Sequence, residues 1–173
     1  VLADGTGSLV LLPELTAFTD VSSYDFGWGM YSTIAARNGG QIDAPNLVHL
    51  QGVNLELNDD SVVPYAQIRQ HTQGRLILSG AKSWTLANLE DLTDTEVEVA
   101  RGRAEFPRLT TLTSGSLALQ LHASLDAPEL SNVDGSSLFA GPGTVIALPK
   151  VLSYAHAATG NDQHRVIRAD GTG

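Results

Sequence analysis

One short phrase returns along the whole chain and restricts what it can fold into. Its clearest copy is Leu125-Asp126-Ala127-Pro128-Glu129-Leu130-Ser131-Asn132-Val133. Other copies are centred on Pro13, Pro45, Ala87, Pro107 and Pro149, with a weaker one at Pro64. Taken from slot to slot the spacings are 32, 19, 23, 20, 21 and 21 residues, a base period of about 21. The long first spacing holds 11 surplus residues: Ser32 to Pro45 aligns without a gap on Ser136 to Pro149, which leaves Val21 to Tyr31 as an insertion. A fixed period of this size is the mark of a repeat architecture, in which one unit cannot bury its apolar face alone and stacking completes the core.

Apolar residues hold fixed places around each slot. Three before it stand Val10, Ile42, Trp84, Ala104, Leu125 and Ile146, and one before it Leu12, Ala44, Val63, Leu86, Phe106, Ala127 and Leu148. Places two apart share one face of a strand. Two after the slot come Leu15, Leu47, Leu89, Leu109, Leu130 and Val151, and five after it Phe18, Leu50, Leu92, Leu112, Val133 and Tyr154. A third pair spaced by two follows in each unit, as in Leu76/Leu78, Val97/Val99 and Leu117/Leu119. Turn formers Asp20, Asp94, Ser114 and Gly135 stand about seven after the slot. Each unit thus reads as three short strands joined by tight corners, with the proline at a bend because it would remove a ladder hydrogen bond inside a strand.

The pattern predicts an all-β chain: a parallel β-solenoid of about seven coils, right-handed because parallel crossovers have that hand. A leucine-rich repeat has a similar period but needs one regular Asn or Cys slot. Asn46, Asn88 and Asn132 do not share one. Residues 1–173 form a single solenoid domain with two loop excursions, about 21–31 and 156–164. The chain opens Val1-Leu2-Ala3-Asp4-Gly5-Thr6-Gly7 and closes Ile167-Arg168-Ala169-Asp170-Gly171-Thr172-Gly173. Five matching residues at one repeat phase predict an excerpt of a longer array, partnered by adjacent repeats or by end-to-end self-association. Raw strand edges favour such contacts.

A formal net charge of -9 argues against nucleic acid, whose binders need basic patches. No apolar run approaches the ~20 residues that span a bilayer as a helix. The absence of cysteine excludes a disulfide scaffold.

Few residues invite chemistry. Tyr24, Phe26, Trp28 and Tyr31 place four of the ten aromatics in the first excursion. Aromatic rings stack on sugar faces, so Tyr24, Asp25, Trp28 and Tyr31 are the candidate ligand-binding residues, with Asn38 a further hydrogen-bonding group; the competing expectation is that this loop packs on the solenoid wall. Asn58-Asp59-Asp60-Ser61 clusters oxygens of the kind calcium takes but lacks the EF-hand spacing, so it reads as a solvated turn. No cofactor is expected beyond that calcium option. Glu105 and Asp126 stack as like charges near Arg103 and Arg108, the residues a calcium-assisted polysaccharide lyase would need, but without a larger acidic cluster they read as structural. Arg108, Glu129 and Lys150 form a charge ladder one place after the slot. His49, His71, His122, His156 and His164 do not converge as zinc ligands would. They are expected at the surface or at corners, with His71 and His156 at one repeat phase. There is no G-x-S-x-G nucleophile elbow.

The phrase apolar-x-x-Pro-x-Leu-x-x-Leu with its Gly/Ser turn resembles repeats in the β-solenoid stalks of very large secreted or cell-surface bacterial proteins. The resemblance covers nearly all of the chain and rests on pattern, with no active-site identity. It implies an extracellular, non-catalytic structural or adhesive module. The alternatives are a carbohydrate-binding module using the aromatic loop and a β-helix polysaccharide lyase or hydrolase. The architecture loosely resembles the pectate-lyase-like β-helix too, but none of that family's catalytic motifs is matched.

Overall fold

The computed structural model describes residues 1–21, 32–156 and 164–171. All regular structure among them is β-strand, and every pairing is parallel. The strands stack as the three walls of a β-solenoid. The first wall contains β1 (Leu2–Asp4), β4 (Ser32–Arg37), β7 (Val53–Asn58), β9 (Arg75–Ser79), β11 (Glu96–Val99), β13 (Ser116–Leu119), β15 (Ser137–Ala140) and β16 (Ile167–Ala169), paired in that order. The second holds β2 (Leu9–Leu11) beside β5 (Gln41–Asp43), then β10 (Ser83–Thr85), β12 (Arg103–Glu105) and β14 (Ser124–Asp126). The third holds β3 (Ala17–Thr19), β6 (His49–Gln51) and β8 (Gln70–Thr72), continued by single bridges at Asp91, Thr111 and Asn132. The strand-rich, helix-free course sets aside the leucine-rich alternative.

Register ties the walls to the repeat. Val10 pairs with Ile42, and Trp84 with Ala104 and then Leu125. Thr33, Asn54, Arg75, Glu96, Ser116 and Ser137 form one column, so Ser32 and Ser136 also share a column, as their sequence alignment requires.

One slot moves. The bend is closed each time by an N–H two after the slot donating to the carbonyl one before it: Leu15 to Leu12, Leu47 to Ala44, Leu89 to Leu86, Leu109 to Phe106, Leu130 to Ala127 and Val151 to Leu148. In the third coil this bond runs from Ile68 to Tyr65, so the slot is Ala66 and not Pro64. Gln41 faces Val62, which puts Val63 over Ile42. With Ala66 in place the uneven spacings of 19 and 23 both become 21. The proline misled because φ near −65° suits several positions around a turn, so Pro marks a bend without fixing its register.

The number of turns is about five, not the expected seven. Counting bends overcounts walls. A second-wall strand precedes the bend only as β2, β5, β10, β12 and β14; the coil of Ala66 has a lone bridge there, and residues 141–156 form no strand at all.

The core is a set of stacked columns. Leu89, Leu109 and Leu130 are at most 1% exposed and occupy the same place in successive coils. Fully burying one such side chain contributes about 1.5–3 kcal/mol. The corner between third and first walls repeats a left-handed residue: Gly52, Gln73, Asp94, Ser114 and Gly135 have φ between 53° and 67°. Each donates its N–H to the next coil, to Thr72, Thr93, Thr113, Asp134 and Ala155 respectively. Gly52 is obligatory there, because a Cβ would stand 1.8 Å from the Asp20 carbonyl oxygen.

Candidate functional site

The expected ligand residues Tyr24, Asp25, Trp28 and Tyr31 lie outside the described residues. Asn38 is described: its Nδ2 donates to Asp4 Oδ1 at 2.8 Å, tying two coils at a corner.

Three of the four enzyme candidates, Arg103, Glu105 and Asp126, are brought together on the outer face of the second wall, where β12 and β14 pair Glu105 with Asp126 and Arg103 with Ser124. Arg103 lies between both acids, with Nε 2.9 Å from Glu105 Oε1 and Nη2 3.1 Å from Asp126 Oδ2. Glu105 also accepts from Thr85 Oγ1 at 3.0 Å. A guanidinium has no lone pair to accept a proton. Arg108 faces elsewhere, donating to Asn88 Oδ1 at 3.2 Å. Arg103, Glu105 and Asp126 make a cross-coil brace.

Asn58-Asp59-Asp60-Ser61 is likewise spent on backbone. Asp59 accepts from the N–H groups of Ala81 and Lys82 at 3.0–3.2 Å, Asn58 Oδ1 accepts from the Asp60 N–H, and Ser61 Oγ donates to the Ala36 carbonyl. Among the described residues no group of three or more His, Asp and Glu converges on a point that would hold a metal. The Arg108, Glu129, Lys150 ladder is only partly linked: Lys150 Nζ lies 2.5 Å from Glu129, while Arg108 turns to Asn88.

His71 departs most from expectation. It is 1% exposed and stands over Leu50 in the third wall, so it fills the apolar place five after Ala66. It therefore does not share a repeat phase with His156. Its Nε2–H donates to the Val53 carbonyl at 2.7 Å, and Nδ1 has no partner among the described residues. Burial lowers its pKa to about 4, opposed by the Val53 bond, so the ring is neutral at pH 7. Gly74 makes room for it: a Cβ there would meet Val53 O at 2.1 Å and His71 Nε2 at 2.8 Å. The signal was in the sequence, but misplacing the slot at Pro64 hid it.

The sequence reading also passed over a groove in the second wall. The outward residues of β10, β12 and β14 are polar, whereas Leu9, Leu11 and Val62 are exposed apolar groups in the first coils. Where β10 fails to pair with the preceding coil, a groove of about 580 Å³ is lined by Leu9, Leu11, Val62, Pro64, Tyr65 and Lys82. Tyr65 packs edge-on against the buried Trp84 at 5.9 Å, and Lys82 Nζ sits 4.3 Å from the Trp84 ring centre. Trp84 is the largest residue in its column, is fully buried, and is followed there by Ala104.

No helix among the described residues is long and apolar enough to cross a membrane. Against this geometry, no family model, no curated protein and no solved structure matches the chain, so the parallel β-solenoid architecture is what identifies it.

Proposed function

We infer that the chain is a non-catalytic structural or adhesive module of a long extracellular protein of the bacterial cell surface. The observation that carries this reading is how the charged side chains are used: they tie one coil to the next. Arg37 reaches Glu56, Arg69 reaches Glu90, Arg75 reaches Glu96 and Glu98, Arg103 reaches Asp126 and Lys150 reaches Glu129. A wall whose acids and bases brace the stack supports a spacer role, holding side-chain columns and two excursions on a stiff rod. Repeat solenoids derive their stability from such neighbour contacts.

The test is a pair of assays on the intact chain. Incubation with acidic polysaccharides and calcium is expected to yield no rise in the absorbance of unsaturated products, and a glycan array is expected to show no binding that Trp28→Ala removes. Product formation lost in Arg103→Ala would replace this reading with a lyase. Glycan retention that depends on Trp28 would replace it with a carbohydrate-binding module.

A further inference from the structure

The outer face of the second wall changes character along the rod. Through β10, β12 and β14 its two outward columns read Ser83, Arg103, Ser124 and Thr85, Glu105, Asp126. In the coils before them the same columns read Leu9, Gln41, Val62 and Leu11, Asp43, Pro64. Leu9, Leu11 and Val62 are 54%, 60% and 49% exposed. The ladder breaks here for a local reason. Pro64 has no N–H to give, and the N–H groups of Ala44 and Tyr65 make, among the described residues, none of the cross-coil bonds that Leu12, Leu86 and Phe106 make at the same place. The resulting groove is centred inside the stack, between β5 and β10. Its volume of about 580 Å³ is that of a small-ligand site, roughly 300–1,000 Å³.

Charge in the groove is used differently from charge on the rest of the wall. Arg103 is held between Glu105 and Asp126. Lys82 and Asp43 both line the groove, yet among the described residues neither is ion-paired, with the other or with any third side chain. Lys82 Nζ donates to the Asp59 carbonyl at 3.3 Å and rests on the Trp84 ring, which leaves two of its three donors unused. The Tyr65 ring packs on the same indole, and Trp84 Nε1, buried behind both, has no acceptor. An apolar floor is thus framed by a cation with spare donors at one side and a lone carboxylate at the other. Asp43 lies in the second coil and Lys82 in the fourth, about 10 Å apart at ~4.8 Å per coil, the reach of roughly three extended residues.

We propose that this groove docks an extended peptide segment with an apolar centre, a basic side chain on Asp43 and an acidic side chain on Lys82. The proposal rests on the adhesive reading of the chain and names what such a module holds. The choice of occupant follows from charge complementarity. A simple apolar acid satisfies Lys82 but lays its tail against the Asp43 carboxylate. A segment with base and acid three residues apart meets both charges and covers Leu9, Leu11, Val62 and Pro64 with its centre. Exposed apolar patches rimmed by polar groups are the usual form of such sites.

The probe is the peptide Lys-Leu-Val-Glu with both ends blocked, titrated into the intact chain at low salt. It is expected to bind about tenfold more tightly than Lys-Leu-Val-Lys or Glu-Leu-Val-Glu. Lys82→Glu, folded by circular dichroism, is expected to shift the preference to Lys-Leu-Val-Lys, and Asp43→Lys to shift it to Glu-Leu-Val-Glu; a merely structural role for either residue produces no such exchange. Val62→Asp is expected to weaken all three peptides. Failure of the parent chain to bind the probe, or equal affinity for the three charge patterns, overturns the proposal. Decanoate bound as tightly as the probe would reassign the groove to apolar acids, and self-association of the parent chain that Val62→Asp removes would reassign it to a second copy; either result overturns the proposal too. These readouts are separate from the polysaccharide and glycan assays, so failure of docking leaves the structural reading standing, and catalysis would sink that reading whatever the peptides do.

Discussion

The middle of the rod and its ends are built from the same phrase and are buried to different degrees. Leu89, Leu109 and Leu130, in neighbouring coils, are sealed from solvent. Leu15 and Val151 occupy the same place in the first and last coils and are only partly buried. The local sequence is equivalent, so the difference comes from the neighbours: a coil supplies half of a side chain's surroundings, and the coils above and below supply the rest. Burial in a solenoid is a nearest-neighbour property, and stability should follow it coil by coil.

The largest expected effect tests this directly. Leu109→Ala should lower the unfolding free energy by about 2–5 kcal/mol, the range for a buried leucine that leaves a cavity. Leu15→Ala, the same chemistry in the same column at the edge, should cost about half as much or less, because solvent already reaches the site. Urea denaturation of both variants checks the contrast. Equal losses would mean that position along the stack does not set burial energy.

How much of this contrast was legible in the sequence depends on the residue. The columns through Leu89, Leu109 and Leu130 were readable because each bend there carries an apolar residue at the same offset from the slot, and backbone register follows from the strand period of two. The coil of Ala66 was misread because its proline stands two residues early, and a lone proline signals a bend without its phase. That slip concealed His71 in a leucine column and Tyr65 in the place of Ala44, Leu86 and Phe106. The brace among Arg103, Glu105 and Asp126 was half visible: the stacking of the two acids followed from the spacing, while the choice of Arg103 over Arg108 as their partner depends on which wall each side chain leaves. The open groove beside Tyr65 could not be read at all, since it arises from a strand pairing that fails to form.

His71 sharpens the comparison from inside the sealed region. Its neighbours in the column, Leu50 and Leu92, are indifferent to pH, but an imidazole with folded pKa of about 4 is not. In the unfolded chain the ring takes a proton near pH 6.5, while the folded chain refuses it until about pH 4. Below pH 6.5 the unfolded state therefore binds more protons, and stability contributed by the neutral ring is lost as pH falls from 6.5 to about 4. The shift corresponds to about 3 kcal/mol at its full extent. Stability measured by urea from pH 7.5 to 4 should fall more steeply in the parent chain than in His71→Leu, with the two curves parallel above pH 7. Parallel curves throughout would show that the ring accepts a proton without unfolding the corner it shares with Val53 and Gly74.

The outer ladder supplies the smallest effect and the opposite pattern. Arg103–Asp126 lies in the middle of the rod and Lys150–Glu129 in the last coil, yet their side chains are exposed to the same degree, 52% and 54% against 51% and 48%. Solvent screens both pairs alike, so each should contribute about 0.2–1 kcal/mol at low salt and less as salt rises. Double-mutant cycles with Arg103→Met and Asp126→Asn, and with Lys150→Met and Glu129→Gln, should return coupling energies that agree within error. A markedly larger coupling at Arg103 would show that the ladder, like the core, gains from neighbouring coils on both sides. Equal values would confine that dependence to the apolar columns, and would separate what the stack buries from what it merely lines up along its surface.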